Sequence, residues 1–176
     1  MAALHAQGAD VNWRNPDWRL ATPLHKASEH GHLDVVNALL DMGADAHKSS
    51  QLGWSALHYA CFSGSNLDVV ARLVRQGLDV NGVTETGYTP LHMCAFKGNH
   101  KAIELLVAAG ADKAAREKYH EVNPAELVML QSGLRLAQTC AGATQVDVQG
   151  ACLAALEPLP ADTRTSAQLE DELLLI

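Results

Sequence analysis

Apolar residues recur along this chain in three blocks that share the same spacing and the same flanking residues. The blocks Leu33–Leu40, Leu67–Val74 and Ala102–Val107 carry apolar residues at helical spacing. Each block follows a four-residue motif: Thr22-Pro23-Leu24-His25, Ser55-Ala56-Leu57-His58 or Thr89-Pro90-Leu91-His92. The histidines of these motifs lie 33 and 34 residues apart. A period of this length predicts stacked two-helix units, each of which buries its apolar face only against its neighbours.

Residues with known roles at helix ends mark the limits of each unit. Thr89 suits an N-cap, and Pro90 suits the first helical position, where a missing N–H costs nothing. Gly98 suits the left-handed turn that ends this first helix. Each second helix is followed by a Gly-x-Asp triplet, at Gly43, Gly77 and Gly110. The segment after each triplet is predicted to project as a β-turn hairpin, which we call a finger.

Together, the Thr-Pro-Leu-His motif, the glycine six residues after its histidine and the Gly-x-Asp triplet resemble the ankyrin repeat. The resemblance implies an all-α solenoid of stacked helix-turn-helix units with β-turn fingers, with about three full repeats and partial repeats at both ends. The predicted boundaries are 1–14 for a partial repeat, 15–47, 48–81 and 82–114 for full repeats, and 115–141 for a degenerate capping repeat. In this last repeat, Asn123-Pro124-Ala125-Glu126 takes the position of the four-residue motif.

The two ends of the chain are less regular than its middle. No first helix precedes the partial repeat at 1–14, so a fragment of a longer protein is one expectation for this chain. The segment 142–176 is predicted to be a tail with one or two short helices, one of them at Val146–Glu157. Its apolar and acidic end, Ser166–Ile176, would either cover the last repeat or form a docking helix, and covering is favoured because an uncapped core needs cover.

Charge and composition narrow the classes of partner. The net charge is −7 and no cluster of five to eight basic residues occurs, which argues against nucleic acid. No apolar run reaches the roughly 18 residues that a membrane span needs. Cys61 and Cys94 take positions where other repeats carry small residues, so we interpret them as buried thiols of a reducing compartment. We expect a monomer in the cytoplasm, with the nucleus as the alternative.

Catalysis is not expected. The chain has no zinc-protease, nucleophile-elbow, phosphate-loop or dinucleotide-binding motif. His25, His58 and His92 occupy one repeat position, where a structural role is the simpler interpretation. We therefore expect no catalytic residue, no metal and no cofactor.

Aromatic residues instead indicate a binding surface. In ankyrin repeats the binding face consists of the finger tips and the first-helix residues on the concave side, and the resemblance places on it the residue before each four-residue motif (Ala21, Trp54, Tyr88) and the pair before each glycine. The predicted partner-binding residues are Trp18, Glu29, His30, Leu52, Trp54, Phe62, Ser63, Glu85, Tyr88, Phe96 and Lys97. Interfaces favour aromatic anchors because they bury large rigid areas. Tyr59 alone is expected to pack between repeats. The structural alternative for the other rings is that Trp54 and Tyr88 cover finger bases and that Phe62 and Phe96 close the groove between first helices.

The predicted function is a non-catalytic adaptor that binds a protein partner of unknown identity. One alternative is a regulatory or targeting piece of a larger enzyme or of a ubiquitin-ligase-type assembly. The sequence around Trp13 and Thr22 also resembles the ankyrin segment of GTPase-activating proteins for Arf-type G proteins. A second alternative is a substrate of the iron-dependent asparaginyl hydroxylase that modifies ankyrin repeats, since Asn12 and Asn81 follow Asp-Val eight residues after a leucine. An asparagine that simply caps a turn is the structural alternative there.

Overall fold

The computed structural model describes residues 9–64, 67–118 and 122–128. Six α-helices lie within these ranges: α1 (Pro23–His30), α2 (Leu33–Asp41), α3 (Ala56–Ser63), α4 (Leu67–Arg75), α5 (Pro90–Lys97) and α6 (His100–Ala108). A short 3₁₀ helix, Pro16–Trp18, precedes them, and residues 124–128 are also helical. Each repeat therefore consists of a first helix, a second helix and a preceding finger, as the sequence predicts.

The repeats stack in two layers of helices. First helix packs on first helix, with α1 against α3 and α3 against α5, and the second helices α2, α4 and α6 pack in the same order. The apolar core lies between the layers and repeats with the sequence, since leucine is buried at Leu24, Leu57 and Leu91 in the first layer and at Leu39, Leu73 and Leu106 in the second. This stacking confirms the predicted all-α solenoid.

The predicted helix ends are also confirmed. Thr22, Ser55 and Thr89 are the N-caps of the three first helices, and each hydroxyl accepts a hydrogen bond from the backbone N–H of the histidine three residues later. The three helices end at glycines with left-handed φ angles, as at Gly98, where φ is 67°.

The three repeated histidines connect each repeat to the next. His58 shows the pattern: its Nδ1 accepts from the backbone N–H of Ser55 at 3.2 Å, and its Nε2 lies 3.1 Å from the carbonyl oxygen of Tyr88, one repeat later. The Nε2 atoms of His25 and His92 lie 3.0 Å from the carbonyl oxygens of Lys48 and Val122. Each imidazole thus joins the cap of its own helix to the finger of the following repeat.

This arrangement selects the neutral imidazole with its proton on Nε2. A backbone N–H can only donate, so Nδ1 must accept, and a carbonyl oxygen can only accept, so Nε2 must carry the proton. Burial lowers the pKa of His25 and of His58 to about 4, although the carbonyl bonds to Lys48 and Tyr88 act in the opposite direction. Burial likewise lowers the pKa of His92.

Neighbouring fingers are joined by backbone hydrogen bonds. Gln51 N–H donates to the Arg19 carbonyl at 2.8 Å, and Glu85 N–H donates to the Leu52 carbonyl at 3.1 Å. The approach of the next finger is close enough to require glycine at position 87, where φ is +87° and a Cβ atom would lie 2.9 Å from the backbone nitrogen of Lys118.

The last described residues begin the predicted capping repeat. Asn123 caps the helix at 124–128 by accepting from the Glu126 N–H at 2.9 Å, and the Glu126 carboxylate accepts from the Asn123 N–H at 2.8 Å. Glu126 thus occupies the position that histidine has in earlier repeats. Its carboxylate completes the cap of its own helix, but this position carries no imidazole that could bind a further finger. The exact repeat boundaries stay predictions. The tail at 142–176, including Val146–Glu157 and Ser166–Ile176, lies outside the described residues.

The predicted burial of Cys61 and Cys94 is confirmed, and the reducing compartment stays a prediction. Cys61 and Cys94 are fully buried free thiols in the neighbouring first helices α3 and α5. Burial raises the pKa of the Cys61 thiol, and its contact with Cys94 acts in the same direction. They therefore serve as small core residues of the first-helix layer.

The histidine connections predict a stability that falls as pH falls. A histidine with a pKa lowered to about 4 binds fewer protons in the folded protein than in the unfolded chain between pH 4 and pH 6.5. The free energy of unfolding therefore has its full value above about pH 6.5. Below that pH, each such histidine lowers it by up to about 1.4 kcal/mol per pH unit. We expect urea denaturation to show a falling free energy of unfolding between pH 7 and pH 5.

Two substitutions assign this slope to the buried imidazoles. His58→Gln should be less stable at pH 7 and should show a shallower slope than the unmodified protein. His47→Gln, in the exposed part of a finger, should leave the slope unchanged. A free energy of unfolding that does not vary between pH 7 and pH 5 would contradict the assignment.

Candidate partner-binding groove

The first finger is two residues longer than the second and third fingers. Its hairpin is closed by the Asn15 N–H, which donates to the Ala21 carbonyl at 3.1 Å, whereas the second is closed between Ser50 and Trp54. The additional residues form the 3₁₀ helix Pro16–Trp18, which Asn15 caps through its side chain.

The longer finger then closes through an unusual backbone conformation. Arg19 and Leu20 have φ angles of 54° and 59°, a left-handed conformation that costs free energy in residues other than glycine. Two hydrogen bonds hold this turn: Leu20 N–H donates to Asn15 at 2.9 Å, and the Arg19 carbonyl accepts from Gln51 at 2.8 Å. The result is that Trp18 stands at one edge of a pocket.

The pocket lies between two fingers and two first helices and has a volume of about 330 Å³. Its lining is contributed by the first finger, the second finger, α1 and α3: Asp17, Trp18, Arg19, Leu52, Trp54, Lys26, Glu29, Tyr59 and Phe62. Residues from two consecutive repeats therefore form one concave site.

Aromatic rings form a continuous surface along this site. The Trp54 ring meets Phe62 edge-on at a centroid distance of 5.4 Å, and Phe62 stacks on Phe96 of the next repeat at 6.1 Å. Tyr59 lies 5.3 Å from Trp54 and 5.1 Å from the ring of His25. Ring pairs at these distances are favourable, so they fix the orientation of the side chains that line the pocket.

Two lysines lie against these rings. Lys97 Nζ is 4.1 Å from the centroid of Phe62 and 5.6 Å from that of Phe96. Lys26 Nζ is 5.7 Å from the centroid of Trp18 and forms a 2.6 Å ion pair with Glu29. The groove thus has an aromatic surface flanked by two lysines, of which Lys26 is ion-paired within the chain.

Seven of the predicted binding residues lie together in this region. Five of them line the pocket: Trp18, Glu29, Leu52, Trp54 and Phe62. Phe96 and Lys97 extend the surface through their contacts with Phe62.

The other predicted positions lie outside the pocket. His30 is exposed at the end of α1 with its ring 6.1 Å from His32, and Ser63 is half-buried. Glu85 is exposed at the tip of the third finger, where Lys118 Nζ donates to its backbone carbonyl at 2.8 Å.

Tyr88 and Ala21 occupy the same repeat position as Trp54, but their surroundings differ from those of Trp54. Tyr88 is half-buried with its ring edge-on to His92 at 5.7 Å, and burial, followed by the charge of Glu117, raises the pKa of the Tyr88 hydroxyl. Placement of Ala21 on the concave surface is wrong, because its short side chain lies at the base of the first hairpin and is 1% exposed.

Four pocket residues were missed from the sequence, namely Asp17, Arg19, Lys26 and Tyr59. Helical spacing contains a signal for two of them, because Lys26 lies three residues before Glu29 and Tyr59 three residues before Phe62, on the same helix face. Tyr59 does pack between repeats, as predicted, and also faces the pocket. Asp17 and Arg19 belong to the longer finger, whose turn has no counterpart in the other repeats.

The two candidate hydroxylation residues connect neighbouring repeats. Asn81 Oδ1 accepts from the Asp112 N–H at 2.7 Å, and its Nδ2 donates to the Gly110 carbonyl at 3.1 Å. Asn12 makes the same pair of bonds to Asp45 and Gly43, at 2.8 and 3.5 Å. Both side chains therefore bind the turn that ends the second helix of the following repeat.

Within the ranges that the structure describes, no group of three or more His, Cys, Asp or Glu residues is arranged to hold a metal ion. The helices in those ranges are also too short or too polar to cross a membrane.

Several known proteins share this repeat. "Arf-GAP with coiled-coil, ANK repeat and PH domain-containing protein 2" of Rattus norvegicus is 42% identical over 64 residues, which are 36% of this chain and 8% of that protein. "Probable E3 ubiquitin-protein ligase XBOS33" of Oryza sativa subsp. japonica is 47% identical over 45 residues, 26% of this chain and 9% of that protein. "Notch-regulated ankyrin repeat-containing protein B" of Danio rerio is 42% identical over 55 residues, 31% of this chain and 48% of that protein.

The matched segments thus span less than half the length of each of these relatives. A family model described as "Ankyrin repeats (3 copies)" matches residues 24–117. This range contains all six helices except Pro23, the first residue of α1. Repeats of this kind generally serve as protein-interaction modules and are typically non-catalytic. With its three stacked helix pairs, their shared caps and this match over more than half of its length, the chain belongs to the ankyrin-repeat family.

Proposed function

We propose that this protein is a non-catalytic adaptor that binds a partner protein through its concave groove and finger tips. The observation that carries the proposal is the pocket between the first two fingers, where Trp18, Trp54, Tyr59 and Phe62 converge. A concave apolar pocket with a few polar groups at its edge is the usual form of a binding site.

Exposure of the aromatic side chains supports the same conclusion. Trp18 is 49% exposed and Phe96 is 39% exposed, whereas the leucines of the core are nearly inaccessible. Large rigid rings are the residues that most often dominate interface energetics, because they bury much area and lose little conformational entropy. A partner that covered these rings would remove their apolar surface from water, which is favourable.

Charges near the rings would set the register of the partner. Glu29 is held by Lys26, while Glu85 and Lys97 are exposed on neighbouring repeats. Charged groups around an apolar site contribute more to orientation and to the exclusion of wrong partners than to affinity.

We propose as an alternative that this chain is the regulatory or targeting piece of a larger enzyme or of a ubiquitin-ligase-type assembly. The relatives named for Arf-GAP and ubiquitin-ligase activity contain the matched repeats as less than a tenth of their length. In such a protein the groove would select the target while another part of the chain or assembly performs the reaction. Transcripts that encode sequence upstream of residue 1 would favour this proposal, and a native start codon preceded by untranslated sequence would count against it.

Trp18→Ala is expected to weaken partner capture with little effect on the fold. Trp18 lines the pocket but is half exposed, so its removal opens no sealed core. Loss of a true anchor should reduce affinity by about thirtyfold, or about 2 kcal/mol. Partners would be captured from lysate on immobilised protein, identified by mass spectrometry and then titrated individually.

Trp13→Ala is the matched control. Trp13 is 52% exposed in the same finger, yet it does not line the pocket. Partners that bind the groove should be lost with Trp18→Ala and retained with Trp13→Ala. Equal recovery with both variants and the unmodified protein, each with an unchanged melting temperature, would contradict the groove as the binding site.

Hydroxylation of Asn81 is a separate prediction about modification of the protein. Its side chain is exposed, although its amide bridges to Asp112 and Gly110. Incubation with the hydroxylase, iron and 2-oxoglutarate should add one oxygen atom, detected as a 16 Da shift in the peptide that contains this residue. An Asn81→Ala variant provides the control, and an unshifted peptide from the unmodified protein would dismiss the prediction.

A further inference from the structure

The groove is small, and charge restricts which partner side chains it can bind. At about 330 Å³ the pocket lies at the lower end of the range for ligand sites. Such a volume can hold one large side chain from a strand or loop of the partner, but not a whole helix. The inference that follows rests on the proposed function and specifies the chemistry of the partner at that same site.

Two of the groove rings already carry a lysine ammonium group near their faces. Lys26 lies 5.7 Å from the centroid of Trp18, and Lys97 lies 4.1 Å from that of Phe62. A partner's ammonium or guanidinium group on the Phe62 ring would meet the like charge of Lys97, whereas the charge of Lys26 is offset by Glu29 and the carboxylate of Asp17 also lines the pocket. An uncharged apolar or aromatic side chain meets no such repulsion and gains the ring contacts.

Lys97 adds a second requirement. Its side chain is exposed on the two rings of Phe62 and Phe96, and none of the ion pairs found in the described ranges includes it. Lys26, by contrast, already has the carboxylate of Glu29 at 2.6 Å. A carboxylate from the partner would supply to Lys97 the charge partner that Lys26 obtains within the chain.

The pocket and the Lys97 ammonium group are neighbours in the groove. Phe62 contributes a wall of the pocket and also carries the Lys97 ammonium at 4.1 Å, so the pocket and the cation share one ring. In an extended segment, side chains two residues apart point to the same side and are separated by about 6.6 Å of chain. An apolar side chain in the pocket therefore places a carboxylate near Lys97 when the acid lies two residues away.

We propose that the groove binds an extended partner segment with a bulky apolar side chain in the Trp18–Trp54–Phe62 pocket and an Asp or Glu two residues away, paired with Lys97. The fingers supply one wall for this segment and the first helices supply the other. The apolar side chain provides most of the affinity, and the carboxylate selects the register.

Labelled decapeptide pools test this chemistry directly. Each pool fixes Trp at one position and Glu, Gln or Lys two residues away, in both chain directions, with the other positions randomised among uncharged residues. A further pool replaces the fixed Trp with Ala. In anisotropy titrations with the full chain, we expect one Trp–Glu pool to bind about fivefold tighter than its Gln counterpart, with the Lys and Ala pools weaker still.

Lys97→Glu and Lys101→Glu form the matched pair of variants. Both lysines are exposed and both changes alter the net charge equally, but Lys101 lies on α6 and does not contact the groove rings. Lys97→Glu should reverse the preference from the Glu pool to the Lys pool. Lys101→Glu should keep the original order. Circular dichroism would verify that both variants are folded.

Three results would overturn the proposal. One is equal or tighter binding of the Lys pool to the unmodified protein, and another is the same response from both lysine variants. The third is that no pool binds. Capture of partners that still depends on Trp18 would then leave the proposed function standing and reject only the extended acidic segment, whereas loss of that dependence would reject both.

Discussion

The interaction on which the structure depends is the hydrogen bond from a buried imidazole to the finger of the next repeat. In each of the three full repeats the histidine completes the cap of its own first helix through Nδ1 and reaches a carbonyl oxygen of the next repeat through Nε2, as His58 does with Tyr88. Stacked helices alone would tolerate small rotations between repeats. A buried bond of defined direction restricts them, because an unsatisfied donor or acceptor in the core is costly.

That restraint explains why a pocket can be assembled from elements far apart in sequence. Trp54 belongs to the second finger, Phe62 to a first helix, and Trp18 to the finger of the preceding repeat. Their relative positions depend on finger-to-helix and finger-to-finger bonds, including the Arg19 carbonyl that accepts from Gln51. The groove is therefore held in shape by contacts within the chain, and a preformed site lowers the entropy that binding of a partner would have to offset.

The parts of the fold that the sequence predicts are those that only a few residue types can satisfy. The Thr-Pro-Leu-His motif and Gly98 mark helix ends because capping and left-handed turns restrict the residue choice. The pocket was predicted less completely. The left-handed turn at Arg19 and Leu20 carries no glycine signal, and Ala21 shares its repeat position with Trp54 although its side chain is too short to reach the surface. The partner is not encoded in these constraints, since many surface residues are compatible with one solenoid.

Imidazole nitrogen NMR at pH 6 tests the central claim most directly. The structure predicts that His25, His58 and His92 are neutral with the proton on Nε2. Substitution of each buried histidine in turn would assign the signals. Charged imidazoles at these three positions, or the Nδ1–H tautomer, would contradict the account, because neither form can accept from the cap and donate to the next finger at once.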